Sequence, residues 1–504
     1  MAKLSDKLAE SLETLKTLQE QQPNLVIKGT STLGTTHTKR LVDNGFLQRV
    51  IKGWYIPSMP GSEGDTTVWY ASYWAFIAAY ANERFGTEWC LTPEQSLAFY
   101  SGNTIVPRQL VIRATKASNN VTQLMYDTSL LDISASLPSH IVTEPTFGLH
   151  LYPQIEALVF SSPAFFQSSA LEARTVLSGI RDANDVLAIV ADGGNSVRAG
   201  RIAGALRSIG RGEMADQIVS FMRRVGYNTQ EENPFLDSYT IALPETSPYA
   251  TRIRLMWEQM RRQILDLQHL IPASSDKQPL EGVLGKMDAQ YVLDSYHSLS
   301  IEGYRVTEGL LERVRSGNWD PAKDASDADR RNALAARGYY QAYQLVRQSV
   351  SEIYEGRNAG EVFSRQHSDW HYQLFEPCVQ AGIVKVSDLL GYRTHQVYIR
   401  GSRHTPLNPD AVRDAMHALC DLMQQEPNAF VRALLGHFFF VYIHPYMDGN
   451  GRTARFVMNV QLISGGYPWV VVPVDRREEY MQALEKASVE GDITGFLRFI
   501  LTLL

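Results

Sequence analysis

Apolar residues at helical spacing open the chain and predict an amphipathic first helix, formed around Leu8, Leu12, Leu15 and Leu18. A second helix is expected to end at Gly45, because glycine favours the position just after a helix. The run FLQRVIKGWYIP that follows alternates apolar and polar positions, as a small β-wing would. Helix, helix and β-wing is the order of a winged helix-turn-helix, which we predict for residues 1–60.

The pattern changes twice after residue 60. Residues 61–233 mix helical patterns with short β-like runs such as QLVIRA and HIVTE, which indicates an α+β domain. Residues 234–504 are largely helical, with apolar stripes at 250–269, 286–301, 327–355, 408–425, 428–443, 452–464 and 476–504. One extended piece, HQVYIRGSRHTP, interrupts them and has β-hairpin character. The predicted fold is therefore multidomain and mainly α, with an all-helical C-terminal domain that carries one β-hairpin.

Composition adds limits on compartment and partners. The 504 residues carry 48 basic and 54 acidic side chains, so the net charge of −6 does not call for nucleic acid. The three cysteines are far apart and form no CxxC pair, which argues against a disulfide framework or a zinc site. The aromatic run at 69–80 is too short to cross a membrane, and the first residues lack the features of a signal peptide. We expect a cytoplasmic protein that does not contact membranes.

Local charge leaves one exception to this picture. Residues 1–60 hold eight basic and five acidic side chains, and the predicted second helix and wing carry Lys39, Arg40, Arg49 and Lys52. These side chains suit phosphate contacts, so residues 1–60 are a candidate DNA-binding region. The alternative is a small packing module that uses basic residues for solubility.

The string HPYMDGNGRTAR at 444–455 carries the chemistry. It lies between two apolar helical stretches, and its glycines at 449 and 451 allow backbone N–H groups to converge into an anion-binding nest. The start of the next helix adds positive potential, and Arg452 and Arg455 lie three residues apart on its first turn. These features predict a polyphosphate site.

Three further residues of this string complete the parts of a phosphoryl or nucleotidyl transfer site. Asp448 offers a hard oxygen ligand suited to Mg²⁺, Asn450 offers a side-chain amide to a phosphate oxygen, and His444 is an imidazole able to take a proton. Each part alone is common in ordinary turns and helix ends. Eight fixed positions at roughly one in twenty each are negligible by chance, so the combination is specific.

This string resembles the signature of the Fic family, HPFxDGNGRxxR, with Tyr446 in place of the usual Phe. The resemblance continues in YRTHQVYIRG, which is similar to the family's target-docking flap, and in EEYMQALEKASVEGDITGFLRFIL, which is similar to its closing helices. It implies transfer of AMP from ATP to a Ser, Thr or Tyr hydroxyl of a protein. The aromatic at 446 is expected to pack beneath the loop, provided that its hydroxyl finds a partner.

The resemblance also implies a role for each matching residue. His444 would deprotonate the target hydroxyl, and Asp448 would hold Mg²⁺ on the phosphates. Arg452 would support the β-phosphate and Arg455 the γ-phosphate. Tyr480 would lie near the adenine. The remaining implied residues bind the phosphates through the loop (Gly449, Asn450 and Gly451) or the target backbone through the flap (Tyr398, Ile399, Arg400 and Gly401).

A second motif, SLSIEG at 298–303, predicts self-inhibition. Ser298 and Glu302 lie on one face of the helix expected at about 286–303, and Gly303 suits its end. Beside a Fic core the motif resembles the family's inhibitory [S/T]xxxE[G/N]. The resemblance implies a bidentate pair between Glu302 and Arg455 that occupies the γ-phosphate position. The same Glu could instead direct water to remove AMP from a modified target.

Other functions stay open at this stage. The first region resembles the winged helix of AbiEi-type antitoxins, and WCLTPEQSLAFYSG and GLHLYPQIEALV look similar to their second domain. This favours, as an alternative, a DNA-binding regulator or a toxin–antitoxin fusion in which the Fic core mainly senses ATP. Kinase-like chemistry is a third option, which the intact Gly-Asn-Gly-Arg segment disfavours. A homodimer is a further expectation, because many relatives pair through this domain.

Overall fold

The computed structural model describes residues 4–22, 24–61, 64–191, 195–236, 247–274, 278–318 and 327–504. The chain folds into two compact units. The first comprises Met1–Pro248 together with Tyr398–Thr405, and the second comprises Tyr249–Val397 and Pro406–Leu504. The sequence predicts its last domain boundary at 233/234, and the three-domain division stays a prediction.

The first unit opens with three helices and three short strands, where the sequence predicts helix, helix and β-wing. Its elements are α1 (Leu4–Gln21), β1 (Ile27–Lys28), α2 (Gly29–Thr32), α3 (Thr35–Asp43), β2 (Leu47–Ile51) and β3 (Trp54–Pro57). The strands form an antiparallel sheet in the order β1-β3-β2. Gly45 follows α3 with φ +75°, and its N–H bonds to Val42 O, as expected for the residue after a helix end. The assignment as a DNA-binding winged helix stays a prediction.

A mixed sheet follows in the first unit. The elements are α4 (Thr67–Phe85), β4 (Trp89–Leu91), α5 (Pro93–Tyr100), β5 (Gln109–Ala114), β6 (Val121–Gln123), β7 (Ser129–Ser134), β8 (Val142–Thr143) and β9 (His150–Leu151). Four strands pair in the order β4-β5-β7-β6, with β5 and β7 parallel. Trp69, Tyr73 and Trp74 of α4 are buried against this sheet. Thr67 of α4 and the loop at 104–106 form hydrogen bonds with residues 401–405.

The rest of the first unit is helical, and most of the second is too. The first unit adds α6 (Gln154–Phe160), α7 (Pro163–Ser168), α8 (Ala170–Ser178), α9 (Ala183–Val190), α10 (Ser196–Ser208) and α11 (Gly212–Arg224). The second contains α12 (Pro248–Asp266), α13 (Leu280–Ile301), α14 (Glu308–Arg315), α15 (Asp327–Tyr354), α16 (Ala359–Gln380), α17 (Pro409–Gln425), α18 (Ala429–Ile443), α19 (Asn450–Ser464), α20 (Arg477–Glu490) and α21 (Thr494–Leu501). The mainly helical fold with small sheets is therefore confirmed.

Two helices of the second unit are absent from the prediction. Helix α16 has a strong start, because the Asn358 side chain accepts hydrogen bonds from the N–H groups of Gly360 and Glu361. Its many polar residues and Pro377 in its last turns hide the apolar stripe. Helix α14 has eight residues, too few for a clear period.

The segment predicted as a β-hairpin differs from expectation. Residues 396–405 contain a turn, closed by Ser402 N–H bonding to Ile399 O at 3.1 Å, but no paired strands. Apart from this turn, backbone groups of Gly401, Arg403 and Thr405 bond to Thr67, Val106 and Thr104. We keep the name flap for Tyr398–Thr405.

Within the described ranges, every helix is either too short or too polar to traverse a bilayer.

Candidate active site

The string 444–455 forms a tight loop followed by the first turns of α19. Asn428 caps the start of α18 by accepting from Phe430 N and Val431 N, and α18 delivers the chain to the loop. The Asn450 side chain then closes the loop, because its Oδ1 accepts from Tyr446 N (3.0 Å) and its Nδ2 donates to Tyr446 O (2.8 Å). Asn450 is 2% exposed. The bond from Nδ2 uses one of its two amide hydrogens, so the predicted contact of Asn450 with a phosphate oxygen stays a prediction.

The two glycines of the loop are required for different reasons. Gly449 has φ +83°, and a Cβ there would lie 2.8 Å from Phe375 Cε2. Gly451 lies within α19 and does not have a positive φ, so the predicted backbone reason is wrong for it. A Cβ at Gly451 would instead collide with Oε1 of Glu302. A carboxylate oxygen thus lies against the N-terminal turn of α19, where an anion is favoured.

His444 ends α18 in the left-handed conformation, with φ +54° and ψ +61°. Such a backbone is strained for a residue other than glycine. Arg393 holds the backbone of His444 in this conformation. The backbone N–H of Arg393 donates to Pro445 O (2.9 Å), and its side-chain Nε donates to His444 O (2.8 Å). Sequence reasoning gave Arg393 no role, and its only signal was a cation in the YRTHQ run.

The His444 ring is oriented for proton acceptance. Its Nδ1 lies 3.1 Å from Val441 O, a carbonyl that can only accept, so Nδ1 carries the proton and Nε2 keeps its lone pair. The pKa of His444 is lowered to about 4, mainly by burial and in part by the nearby Arg393. The hydrogen bond to Val441 and the carboxylates of Glu302 and Asp448 act in the opposite direction. The imidazole is therefore neutral at neutral pH.

An aromatic wall from α16 supports the loop. The His371 ring stacks on Tyr446 with 3.6 Å between ring centroids, and His371 Nε2 donates to Asp448 O at 2.9 Å. Burial lowers the pKa of His371 to about 4, so this ring is neutral too. Tyr446 packs beneath the loop as expected, but its hydroxyl is buried and lacks a hydrogen-bond partner among the described residues. Sequence reasoning missed His371 and Phe375 because α16 itself was not predicted.

Arg452 is 1% exposed and lies between two aromatic rings. Its guanidinium carbon is 5.0 Å from the Phe375 ring centroid and 5.2 Å from that of Tyr304. Its Nη2 is 3.5 Å from Asp448 Oδ1, yet neither Nε nor Nη2 has a hydrogen-bond partner within the described part of the chain. Buried guanidinium donors are costly when unpaired, which suits a site that takes an anion.

Arg455, at 3% exposed, is engaged by the end of α13. Its Nε donates to Ser298 Oγ (2.8 Å), and its Nη2 donates both to Ser298 O (3.0 Å) and to Glu302 Oε1 (2.8 Å). The predicted pair is present but is not bidentate, since one carboxylate oxygen bonds to one guanidinium nitrogen. Arg455 Nη1 has no partner among the described residues. Gly303 follows α13 with φ +85°, as expected for a helix end.

A buried carboxylate fixes α13 two turns before Glu302. Asp294 is 4% exposed and accepts hydrogen bonds from Tyr339 Oη (2.6 Å) and Trp469 Nε1 (3.1 Å). Burial raises the pKa of Asp294 to about 6, against both hydrogen bonds. Asp294, Ser298 and Glu302 are four residues apart in turn, so one stripe of α13 bears all the contacts.

Asp448 is the predicted metal ligand. Its side chain is 64% exposed, and its Oδ1 accepts from Gly449 N–H at 2.5 Å. Among the described residues, no three His, Cys, Asp or Glu side chains cluster as a metal cage would require. A lone carboxylate fits Mg²⁺, which keeps several waters and is often held by one carboxylate plus phosphates.

The remaining predicted residues lie elsewhere. Tyr480 is 1% exposed, its hydroxyl lies 2.7 Å from His437 Nε2, and its ring packs on Phe496 and Phe499. It is a core residue of α20, and its contact with adenine stays a prediction. The four flap residues, Tyr398, Ile399, Arg400 and Gly401, belong to the first unit.

Comparison with protein families matches residues 364–462 to the Fic/DOC family. The matched segment runs from α16 to α19 and includes the whole loop. Residues 364–462 are therefore similar to a Fic/DOC domain. His371 and Phe375 of α16 lie within this matched segment.

Curated proteins with related sequences extend the match beyond residues 364–462. Protein adenylyltransferase Fic of Drosophila willistoni is 40% identical over 214 residues, which is 42% of this chain and 39% of the relative. Protein adenylyltransferase fic-1 of Caenorhabditis elegans is 28% identical over 222 residues, 42% of this chain and 40% of the relative. This chain therefore spans about two fifths of the length of the curated relatives it matches. A solved structure of C. elegans Fic-1, residues 134–508, is 20% identical with a TM-score of 0.36, covering 68% of this chain and 94% of that one.

Proposed function

We propose that this protein is a self-inhibited protein adenylyltransferase that moves AMP from ATP to a hydroxyl side chain of a protein. The observation that carries the proposal is the juxtaposition, in one loop, of a neutral imidazole with a free Nε2 and buried guanidinium donors that lack partners. A base and an anion-binding set within one loop suit attack of a hydroxyl on a phosphate. The names of the relatives support the same activity.

The proposed reaction follows from these groups. Nε2 of His444 takes the proton of the target hydroxyl while the hydroxyl oxygen bonds to the α-phosphorus of ATP. The bond from the α-phosphorus to the oxygen that bridges it to the β-phosphate breaks, and pyrophosphate leaves with that oxygen. The target keeps AMP as a phosphodiester. Because the pKa of His444 lies near 4, the base is unprotonated throughout the neutral range.

The rest of the loop orients and neutralises the triphosphate. Arg452 and Arg455 offer unpaired nitrogens, and the backbone at the start of α19 offers N–H groups to anionic oxygens. Asp448 would hold Mg²⁺, which when bound neutralises charge on the phosphate oxygens. Arg393 and Asn450 are positioning residues, because they fix the backbone around His444.

Self-inhibition rests on Glu302. Its carboxylate lies against Gly451 and bonds to Arg455, where an anionic phosphate would otherwise be held. A charge-assisted hydrogen bond contributes about 1.5–3 kcal/mol, or about 10- to 150-fold in an equilibrium. We therefore expect Glu302→Gly to raise transfer by at least about tenfold.

The test is labelling of lysate proteins, and of the protein itself, with α-labelled ATP. Glu302→Gly is compared with the unmodified chain and with the double variant Glu302→Gly, His444→Ala. Intact-mass spectrometry should show one added adenylyl group on each product. The proposal fails if the Glu302→Gly variant labels no better than the unmodified chain, or if the double variant labels equally well.

DNA binding, AMP removal and homodimer formation can each be tested separately. Lys39, Arg49 and Lys52 are exposed, whereas Arg40 is engaged by Lys7 O and Ser11 Oγ. DNA binding through residues 1–60 therefore stays a prediction, to be tested by mobility shift at about 0.1 M salt with Lys39→Gln and Arg49→Gln. AMP removal is tested by incubating a purified modified target with the unmodified chain. Homodimer formation is tested by analytical ultracentrifugation.

A further inference from the structure

The flap is anchored to residues near the start of the chain. Gly401 N–H donates to Thr67 Oγ1 at 2.8 Å, across 334 positions of sequence. The hydroxyl proton of Thr67 goes to Asp65 Oδ1 at 2.5 Å, so the oxygen's lone pairs are left for Gly401. Asp65 Oδ2 also lies 3.4 Å from Arg400 Nε. The tip of the flap is thus fixed by a chain of polarised hydrogen bonds.

The arm that returns from the tip is fixed more firmly. Arg403 donates to Val106 O from both Nε (3.0 Å) and Nη2 (2.7 Å), and Val106 N–H donates to Arg403 O (3.2 Å). Val106 is fully buried in the aromatic core around α4. Thr104 Oγ1 donates to Thr405 O (3.3 Å), and Thr104 O itself accepts from Trp74 Nε1 (2.9 Å). The anchor is therefore a buried, rigid part of the first unit.

The arm that leads into the tip is different. Among the described residues, the backbones of Tyr398 and Arg400 have no backbone hydrogen-bond partner. Tyr398 lies just before the turn that Ile399 and Ser402 close, and Arg400 is the first residue inside that turn. The backbone groups at Tyr398 and the N–H of Arg400 are therefore the ones that an added strand could meet. The backbone of the returning arm is hydrogen-bonded to Val106 and Thr104, whereas the backbone groups of Tyr398 and Arg400 lack backbone partners among the described residues.

We propose that the first unit holds the flap, so that Tyr398–Arg400 is presented as an ordered edge for an extended segment of the target protein. This rests on the proposed function, because it assumes that the flap receives the target. A disordered flap would lose conformational freedom when it bound the target, and ordering it beforehand removes that cost. The N-terminal half of the chain would thereby set how tightly targets bind without touching ATP.

The test uses Thr67→Val, which keeps the shape of Thr67 and removes the acceptor for Gly401, and Arg403→Met, which removes the donors to Val106. Thr66→Val is the matched control, since its side chain makes no hydrogen bond to the flap among the residues that the structure describes. All three are made in the Glu302→Gly background. Thermal melting of each variant checks that the fold is kept.

Two readouts are expected to change together. Hydrogen exchange of the flap, 398–405, should speed up by about threefold to tenfold in Thr67→Val and Arg403→Met, the range of one net hydrogen bond, and stay unchanged in Thr66→Val. AMP transfer should need about threefold to tenfold more lysate protein to reach half its maximal rate, with that maximal rate and the affinity for ATP kept.

The outcomes separate the two proposals. Faster exchange with unchanged or increased transfer at limiting lysate would overturn the holding role, because the contacts would then be neutral or inhibitory. Unchanged exchange in both variants would overturn it directly. If the Glu302→Gly parent transfers no AMP at all, the proposed function fails, while the exchange experiment still decides whether the first unit holds the flap.

Discussion

The loop at 444–451 and the flap at 398–405 are closed over very different distances along the chain. The Asn450 side chain closes the loop on Tyr446, four residues away. Thr67 and Val106 fix the flap across 334 and 297 positions. Local closure requires little loop entropy and is encoded in a short string, whereas distant closure depends on a whole folded unit. The loop can thus be recognised from sequence, and the anchoring of the flap cannot.

Variants of the loop should have the largest effects on chemistry. His444→Ala removes the group that accepts the target's proton, so in the Glu302→Gly background transfer should fall by about 10²–10⁴-fold. Binding of ATP, measured by calorimetry, should change little, because His444 is not among the residues proposed to hold phosphates. A parallel loss of ATP binding would instead mean that the loop itself had collapsed.

Breaking the local closure tests the comparison directly. Asn450→Ala leaves Tyr446 N–H and Tyr446 O without partners in a buried place, which should lower the free energy of unfolding by about 2–4 kcal/mol. Urea denaturation measures this. Asn459→Ala is a useful control, since Asn459 makes a similar reciprocal pair with Val470 outside the loop. We expect both variants to lose stability, but only Asn450→Ala to speed hydrogen exchange at 444–449.

Lowering the pH should destabilise the loop at 444–451 more than the flap. His371 and His437 are buried with pKa values lowered by desolvation to about 4 and about 3. Below pH 6.5 these histidines bind protons in the unfolded chain but stay neutral in the folded chain. The free energy of unfolding therefore falls by about 1.4 kcal/mol per pH unit for each histidine as the pH drops towards 4. Asp294 has the opposite effect. Its pKa is about 6 in the folded state against an ordinary value of 3.8, so the folded chain binds the extra proton between these pH values and gains stability as the pH drops. The net change is a loss.

The flap's anchor should resist the same change. The hydrogen bond from Thr67 lowers the pKa of Asp65, so this carboxylate stays charged well into acid. Urea denaturation at pH 7, 6 and 5, with exchange read for the loop and the flap, checks both points. His437→Gln should make the pH dependence shallower. Equal acid sensitivity of loop and flap would contradict the distinction.

The smallest effect is expected at the flap's exposed ion pair. Arg400 is 83% exposed and lies 3.4 Å from Asp65, so Arg400→Ala should change stability by less than about 0.5 kcal/mol. Exchange of Gly401 should stay slow, because its bond to Thr67 does not need Arg400. A clear rise in exchange would show that the ion pair fixes the tip after all.

The loop at 444–455 could be recognised from sequence because its distinctive residues lie at fixed, short spacing, and it falls within the segment that matches the Fic/DOC family. The base, the glycines and the two arginines fall within twelve residues, and helices α18 and α19 flank them as expected. The orientation of individual side chains was less predictable. Asn450 faces inward, Gly451 makes room for Glu302, and the Arg455 pair uses one oxygen, because each depends on neighbours that the local string does not contain.

Sequence by itself determined the periodic helices, the turn at Gly449 and the motif that marks a Fic/DOC domain, since all of these arise from residues close together in the chain. Only the tertiary structure decided that α16 supplies His371 and Phe375, that Arg393 holds the strained His444, and that Asp294 fixes α13. It alone also decided that the flap bonds to Thr67, Thr104 and Val106. Those contacts join residues tens to hundreds of positions apart. Periodicity and spacing report local geometry, and they carry no information about which distant groups meet.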